Sequence, residues 1–121
     1  MITYGPMLRN AMEAAERLSE KGIEASVLRL MSLAPLPMKE MVKYLPVNGK
    51  VVVVEEVSGH CGIGHELACG LQSLRPDCRT VTLDLGENYV CHGHIDTLYA
   101  RYGLSPEAIE AFVMEALRCE N

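Results

Sequence analysis

One uninterrupted run of β-branched residues constrains the fold more than any other feature of this sequence. Four consecutive valines lie within Lys50–Gly64, KVVVVEEVSGHCGIG, and are followed by two acids and a glycine-rich segment. A strand that is buried on both faces has such a continuous apolar pattern, whereas a half-exposed strand alternates. Glycines directly after the strand allow a sharp turn or a close approach to the backbone. In open α/β sheets ligands and partners lie beyond the carboxyl ends of the strands, so any function of this chain is expected here.

The rest of the chain alternates between predicted strands and predicted helices. Helices are indicated by apolar residues at intervals of three and four, and strands by short apolar or alternating runs. Prolines and glycines end these segments, and Ser105-Pro106-Glu107 has the features of a helix N-terminus. The predicted strands are residues 1–4, Glu24–Leu30, Lys50–Glu56 and Arg79–Leu85, and the predicted helices are Met7–Lys21, Pro37–Tyr44, Gly64–Leu74, His94–Tyr102 and a last helix from Ser105.

This alternation predicts an α/β fold with three layers, α/β/α, around a mainly parallel sheet of about four to five strands. Right-handed crossovers favour the strand order 2-1-3-4. The carboxyl ends of the first and third strands are then neighbours, and Tyr4-Gly5-Pro6 is expected to face Glu55–Gly64. The predicted buried faces of three helices are Leu8, Met12, Ala15 and Leu18; Leu67, Ala68, Leu71 and Leu74; and Ile109, Phe112, Val113 and Leu117.

Length and composition restrict the class of protein. With 121 residues the chain is expected to form a single domain over residues 1–121. The formal net charge of −5 and an aromatic fraction of 5% offer neither a basic surface nor a base-stacking platform for nucleic acid. No apolar run reaches the roughly 20 residues that span a bilayer. The charge, the aromatic content and the apolar runs therefore predict neither a nucleic-acid partner nor a membrane partner. Because the five cysteines are odd in number and lack CxxC spacing, we expect a reduced, cytoplasmic protein.

The glycine-rich segment has two interpretations. Gly59–Gly64, GHCGIG, is compatible with anion binding at a helix N-terminus, but it matches neither GxGxxG nor GxxxxGK[ST]. Glu55 and Glu56 also place negative charge beside it, which favours a tight structural turn. Adjacent strand residues point to opposite faces, so the two glutamates are not expected to form a catalytic pair. One is expected to cap backbone donors or to pair with a neighbouring domain, and the other to face solvent.

Two histidine- and cysteine-containing stretches leave a metal site or a Cys–His nucleophile open as alternatives. Both stretches fall in predicted loops, and their spacing matches no standard zinc finger. If the two loops meet at one edge of the sheet, four metal ligands can converge there. For a Cys–His nucleophile, no acidic residue that would orient the histidine is identifiable. The candidate residues are His60, Cys61, His65, Cys91, His92 and His94.

Several segments resemble the C-terminal domain of transketolase-like thiamine-diphosphate enzymes. Ile2–Leu8, Gly22-Ile23-Glu24 and Leu33-Ala34-Pro35-Leu36 are similar to the family's first strand and glycine, its second strand and its L-x-P-L turn. Val51–Glu56 resembles the V-V-V-E-E strand, and Cys61-Gly62-Ile63-Gly64 lies where G-G-F-G is usual. The resemblance covers nearly the whole chain and implies the family's α/β fold.

The end of the chain resembles one branch of this superfamily. Tyr89–Gly93, YVCHG, is similar to a segment of 1-deoxy-D-xylulose-5-phosphate synthases in which an H-G pair precedes a helix. Tyr102–Ser105 and Ile109 resemble the G-L-[DS]-x-x-x-I segment that follows. The resemblance therefore favours the synthases over transketolases and over the beta subunits of 2-oxoacid dehydrogenases.

The resemblance implies a parent transferase that condenses pyruvate with glyceraldehyde 3-phosphate, releasing carbon dioxide and forming 1-deoxyxylulose 5-phosphate for isoprenoid synthesis. Thiamine diphosphate and Mg²⁺ are implied for that parent, and the carbanion chemistry belongs to the cofactor. The family's G-D-G…N motif does not occur in this sequence, and no glutamate matches the activating one. We therefore expect no catalytic residue and no bound cofactor in this chain. It would be the third domain of the enzyme, either encoded separately or excised from a longer polypeptide. Members of the family tend to have a short extra strand before the first strand seen here, and the lack of that strand favours excision.

The expected partners are the cofactor-binding domains of the parent, which is expected to be a homodimer. The loops Glu55–Gly64 and Tyr89–His94 are expected to lie at one edge of the sheet and to face those domains. Two alternatives remain: a partner-docking domain of a transketolase or dehydrogenase beta subunit, and a small metal-binding domain. The expected interface and loop residues are Gly5, Glu55, Glu56, Cys61, Gly62, Gly64, His92 and Gly93.

Overall fold

Among the residues that the structure describes, four parallel strands form one sheet in the order β2-β1-β3-β4. The structure is a computed structural model that describes residues 1–58, 61–87 and 89–119. Parallel pairing joins β1 to both β2 and β3, and β3 to β4. The predicted α/β class and strand order are therefore confirmed. The strands are β1 Ile2–Thr3, β2 Leu28–Arg29, β3 Lys50–Val54 and β4 Arg79–Leu83.

The valine strand β3 lies between two hydrophobic cores. Val51 and Val53 belong to one core, and Val52 and Val54 belong to the other. All four side chains are buried, because successive residues of a strand point to opposite faces and both faces of this sheet are covered. The continuous apolar run is thus explained by helices on both sides.

In the part of the chain that the structure describes, five α-helices cover the two faces of the sheet. Met41, Leu67 and Leu71 place two helices against Val51 and Val53. On the other face two helices contribute buried residues to the core that contains Val52 and Val54. The three-layer arrangement is confirmed. The helices are α1 Met7–Glu20, α2 Met38–Met41, α3 Gly64–Leu74, α4 Ile95–Arg101 and α5 Pro106–Arg118, and a 3₁₀ turn, Val42–Tyr44, follows α2.

Local sequence signals account for several helix ends. Gly5 has a φ of 59°, which a glycine adopts without strain, and Pro6 precedes the first residue of α1. The Ser105 hydroxyl accepts a hydrogen bond of 3.3 Å from the Ala108 amide, so the predicted N-cap of α5 is confirmed. Among the described residues no helix is both long and apolar enough to cross a bilayer.

The predicted second strand is much longer than the observed one. Only Leu28–Arg29 of the expected Glu24–Leu30 pairs in the sheet. Its partner β1 has two residues, so the ladder is limited to hydrogen bonds such as Leu28 N–H to the Met1 carbonyl, 2.8 Å. The fourth strand likewise ends at Leu83 instead of Leu85, and the third ends at Val54 instead of Glu56.

Three predicted core residues are exposed. Met12 is 48% exposed because the buried face of α1 is formed by Met7, Ala11, Ala14 and Leu18 instead. Apolar residues occupy two overlapping stripes of this helix, so periodicity did not distinguish them. Leu74 and Leu117 are also exposed, since each lies in the last turn of its helix, beyond the last fully buried residue.

Candidate functional site: the carboxyl edge of the sheet

A buried glutamate organises the edge of the sheet at which β1 and β3 end. Glu55 follows β3 directly and is only 2% exposed. Its Oε2 atom accepts hydrogen bonds from the Tyr4 hydroxyl and the Ile63 amide, both at 3.0 Å. Its Oε1 atom accepts from the Gly64 amide, also at 3.0 Å. Three donors from two separate segments therefore satisfy this carboxylate.

The Glu55 carboxylate occupies the N-terminus of α3. The first amides of a helix lack intrahelical acceptors and attract anions. Here the amides of Ile63 and Gly64 donate to the protein's own carboxylate. Of the two interpretations of the glycine-rich segment, this arrangement agrees with the structural turn. The anion position that a bound phosphate would use is already filled by an acidic side chain.

Two glycines allow this carboxylate to approach the turn. A Cβ atom at Gly64 would lie 2.5 Å from Glu55 Oε1 and 2.5 Å from Thr82 Cγ2. A Cβ atom at Gly62 would collide with the same carboxylate. The G-x-G spacing thus provides room for a glutamate, and the need for glycine at both positions is steric.

Glu56 points away from Glu55 and has a different partner. The Tyr99 hydroxyl in α4 donates to Glu56 Oε2 at 3.1 Å. The expectation that the second glutamate simply faces solvent is wrong, because Glu56 is half-buried and accepts this hydrogen bond. The two glutamates do not share a site, as their opposite orientations predicted.

Both tyrosines that donate to these glutamates hold their protons more strongly than usual. Burial, followed by the hydrogen bond and the negative charge of Glu55, raises the pKa of Tyr4 to about 12. Burial also raises the pKa of Tyr99, with a further contribution from its bond to Glu56. Sequence reasoning identified neither tyrosine as a partner of a glutamate. The signal for Tyr4 was its position directly after β1, next to the end of β3.

The segment after β4 packs beside the segment after β3. The Leu85 amide donates to the Val57 carbonyl at 2.9 Å, and Tyr99 of α4 contacts Glu56. Within the second predicted loop, the Tyr102 hydroxyl accepts from the Cys91 amide at 3.0 Å and donates to the Tyr89 carbonyl. The side chains of residues 91–97 are exposed.

The predicted metal ligands that the structure describes do not assemble into one cluster. Within residues 1–58, 61–87 and 89–119 no group of three or more His, Cys, Asp or Glu side chains is arranged to hold a metal ion. His60 is outside the described residues. His65 Nε2 does lie 3.9 Å from Cys69 Sγ, a contact that the sequence pattern did not predict. His94 Nδ1 also lies 3.8 Å from Asp96 Oδ2, on an exposed surface.

A cavity of about 440 Å³ lies at the opposite, amino edge of the sheet. Its lining combines apolar residues of the chain start, the segment before β2 and the end of α5 with Lys43 and Lys50. Its lining includes none of the carboxyl-edge glutamates and glycines that the structure describes. The cavity is therefore separate from the candidate site.

Comparison with known proteins decides the family. The model of the family "transketolase, C-terminal domain" matches residues 1–109. This chain belongs to the transketolase C-terminal domain family. The resemblance that was inferred from the motifs of the first strand, the valine strand and the glycine turn is confirmed.

Relatives of this transketolase C-terminal domain include a 1-deoxy-D-xylulose-5-phosphate synthase of Desulforudis audaxviator, 32% identical over 90% of this chain and 17% of the relative. One of the subunits of an apulose-4-phosphate transketolase from Phocaeicola vulgatus is 29% identical over 98% of the chain and 37% of the relative. The beta subunit of an acetoin:2,6-dichlorophenolindophenol oxidoreductase from Cupriavidus necator is 38% identical, over 56% of the chain and 20% of the relative.

A solved structure has the same architecture over nearly the whole domain. It is described as a split gene transketolase, an inactive beta4 tetramer, and superimposes with a TM-score of 0.81 at 30% identity. The superposition covers 99% of this chain and 38% of that chain. Our domain thus spans about a fifth to two-fifths of the length of these relatives.

The residues at the carboxyl edge do not fit the diphosphate group of the cofactor that such enzymes use. A diphosphate at the glycine turn would meet the amides of Ile63 and Gly64, which already donate to Glu55. Glu56 would add a second negative charge nearby, and like charges at short range repel. No catalytic step is therefore assigned to a cofactor held by this edge.

Proposed function

We propose that this chain is the structural and interface domain of a thiamine-diphosphate-dependent transferase that resembles 1-deoxy-D-xylulose-5-phosphate synthase. In that enzyme it would support the condensation of pyruvate with glyceraldehyde 3-phosphate while supplying no catalytic residue. The observation that carries this proposal is the similarity to the Desulforudis audaxviator synthase, which is 32% identical over 90% of the chain, whereas the apulose-4-phosphate transketolase polypeptide is 29% identical. The similarity to the acetoin-related protein extends over only 56%.

The carboxyl edge is the surface that would contact the cofactor-binding domains. Glu55, Gly62 and Gly64 would set the shape of the turn from within, since Glu55 is buried and both glycines adjoin it. Cys61, His92 and Gly93 are exposed or nearly so and would contact the partner directly. Gly5 and Glu56 would position the segments on either side. Thiamine diphosphate and Mg²⁺ would be held by those other domains.

The remaining features of the assembly follow from this role. We infer a cytoplasmic parent enzyme, because five cysteines in 121 residues without CxxC spacing suit a reducing compartment. We also infer that residues 1–121 fold as one domain and that the parent is a homodimer. Size measurement by light scattering, on the chain bound to its cofactor-binding domains, would test the number of copies in the assembly.

A domain replacement tests the proposed function. The corresponding C-terminal segment of the Desulforudis audaxviator synthase would be replaced by this chain, and formation of 1-deoxyxylulose 5-phosphate would be measured. We expect activity above that of the same enzyme without its C-terminal segment. The isolated chain should neither bind thiamine diphosphate in calorimetry nor consume pyruvate. Turnover by the isolated chain, or a folded chimera no more active than the truncated enzyme, would contradict the proposal.

A second candidate parent is a split transketolase. The apulose-4-phosphate transketolase polypeptide aligns with 98% of this chain, and the superimposed structure is also of a split-gene transketolase. The same replacement in that polypeptide of the Phocaeicola vulgatus enzyme distinguishes the two parents. Rescue of transketolase activity there, without rescue of the synthase, would favour a split transketolase as the parent.

A further inference from the structure

The outer face of α3 carries a histidine and a cysteine one helical turn apart. His65 and Cys69 are both exposed, and residues four apart on a helix lie on the same side. The opposite side of α3 is anchored, since Leu67 and Leu71 are fully buried against the sheet. The helix therefore fixes the backbone positions of the two residues relative to each other on the surface.

The distance between the two side chains suits joint coordination of a metal ion. His65 Nε2 and Cys69 Sγ are 3.9 Å apart. Around a tetrahedral zinc ion with ordinary Zn–N and Zn–S bond lengths, a nitrogen and a sulfur ligand are about 3.6 Å apart. A small rotation of either exposed side chain closes this difference.

The spacing is also that of a known metal-binding arrangement. In the H-E-x-x-H helix two histidines four residues apart bind one zinc ion from the same helix face. Residues 65–69 read H-E-L-A-C, so cysteine occupies the position of the second histidine. Imidazole and thiolate are both preferred ligands of zinc and of related transition metals.

We propose that His65 and Cys69 form a two-ligand surface site for a divalent transition-metal ion of the zinc type. The metal binds the neutral imidazole through Nε2 and the thiolate through Sγ, and the thiol proton is released to solvent. Water molecules complete the coordination. This site is independent of the proposed function.

Cobalt binding to the intact 121-residue chain tests the site, because Co²⁺ occupies zinc sites and absorbs light. In a phosphine reductant that does not bind metals, the wild-type chain should give a thiolate-to-cobalt charge-transfer absorption that saturates at one ion per chain. Excess Zn²⁺ should abolish this absorption. Cys69→Ser should lose it, and His65→Ala should weaken Co²⁺ binding by about ten-fold or more.

Matched variants make the assignment specific. Cys61→Ser and Cys91→Ser remove other exposed thiols and should leave the cobalt absorption unchanged. Circular dichroism would verify that each variant is folded; these positions lie outside the buried core. Absence of the absorption in the wild type, its persistence in Cys69→Ser or its loss in Cys61→Ser would overturn the proposal.

Discussion

The Tyr4 hydroxyl donates a hydrogen bond of 3.0 Å to Glu55 Oε2 and thereby joins the ends of β1 and β3. These strands are neighbours at the position where the chain departs in opposite directions, towards β2 on one side and β4 on the other. In open α/β sheets a crevice at this position commonly receives a ligand. In this protein the position is closed by the protein's own tyrosine, carboxylate and helix amides.

Replacement of Glu55 should destabilise the domain substantially. Glu55→Gln keeps the shape of the side chain but replaces one of its two acceptor oxygens by an NH₂ group. This group then faces the donors that the oxygen had satisfied. We expect the free energy of unfolding to fall by about 1–3 kcal/mol, because a buried donor loses its charged acceptor. Urea denaturation at pH 7 would measure the change.

Glu56→Gln is the matched control for this experiment. Glu56 is half-buried and accepts one hydrogen bond, from Tyr99, so a smaller loss than for Glu55→Gln is expected. Equal losses of unfolding free energy in the two variants would show that the three hydrogen bonds to Glu55 do not stabilise the domain more than the hydrogen bond to Glu56 does.

The Tyr4–Glu55 pair predicts a loss of stability in alkaline solution. The pKa of Tyr4 is raised from 10.0 to about 12 by burial first and then by Glu55. Between these pH values the unfolded chain loses the phenol proton while the folded chain keeps it, so stability falls as pH rises. The stabilisation is complete below pH 10 and is lost above about pH 12.

Thermal denaturation from pH 8 to pH 12 would measure this effect. Tyr4→Phe should remove the part of the alkaline decline that belongs to Tyr4. Tyr44→Phe is the control, because Tyr44 is 69% exposed and should leave the profile unchanged. Identical profiles for the wild type and Tyr4→Phe would contradict the prediction.

Gly64 should not tolerate a methyl group. Gly64→Ala would place Cβ 2.5 Å from both Glu55 Oε1 and Thr82 Cγ2, so either the carboxylate or the strand must move. We expect a loss of about 1–3 kcal/mol in the free energy of unfolding. Gly93→Ala places Cβ at 3.4 Å from Leu98 Cδ2 and should change stability by no more than about 0.5 kcal/mol. Denaturant titration of both variants would check this difference.

A buried carboxylate between α1 and α5 should make the stability of the domain decrease in acidic solution. Glu110 accepts from Lys21 and, at 2.7 Å, from Arg17 Nε, and these bonds hold the pKa of its carboxyl below the ordinary 4.5. The stabilisation is therefore present above pH 4.5 and is lost as pH falls through the lowered pKa.

Glu110→Gln should lower the melting temperature at pH 7 and reduce the difference between pH 7 and pH 3. Calorimetry at the two pH values would measure both changes. Glu20→Gln, on the exposed surface of α1, should leave both values near those of the wild type. An unchanged acid dependence in Glu110→Gln would refute the role of this ion pair.

Much of the fold was predictable because its signals are short-range. Val51–Val54 can be buried on both faces only in a sheet covered on both sides, and the handedness of crossovers then selects the strand order. The N-cap at Ser105 was recognisable from three residues. The buried face of α1 was not recognisable, because the helix has two overlapping apolar stripes. Only the packing of α1 against the sheet and α5 buries Ala11 and Ala14 instead of Met12 and Ala15.

At the carboxyl edge, too, some features were predictable from the sequence and others depended on the tertiary structure. Chain periodicity predicted that Glu55 and Glu56 lie at the carboxyl end of a buried strand and point apart, and the motifs around them predicted the family. The tertiary structure alone decided that Glu55 accepts from Tyr4, 51 residues away, and that Tyr99 donates to Glu56. Periodicity and chirality act over a few residues and are visible in the sequence, whereas the partner of a buried polar group depends on which distant segments the folded sheet brings within hydrogen-bond distance.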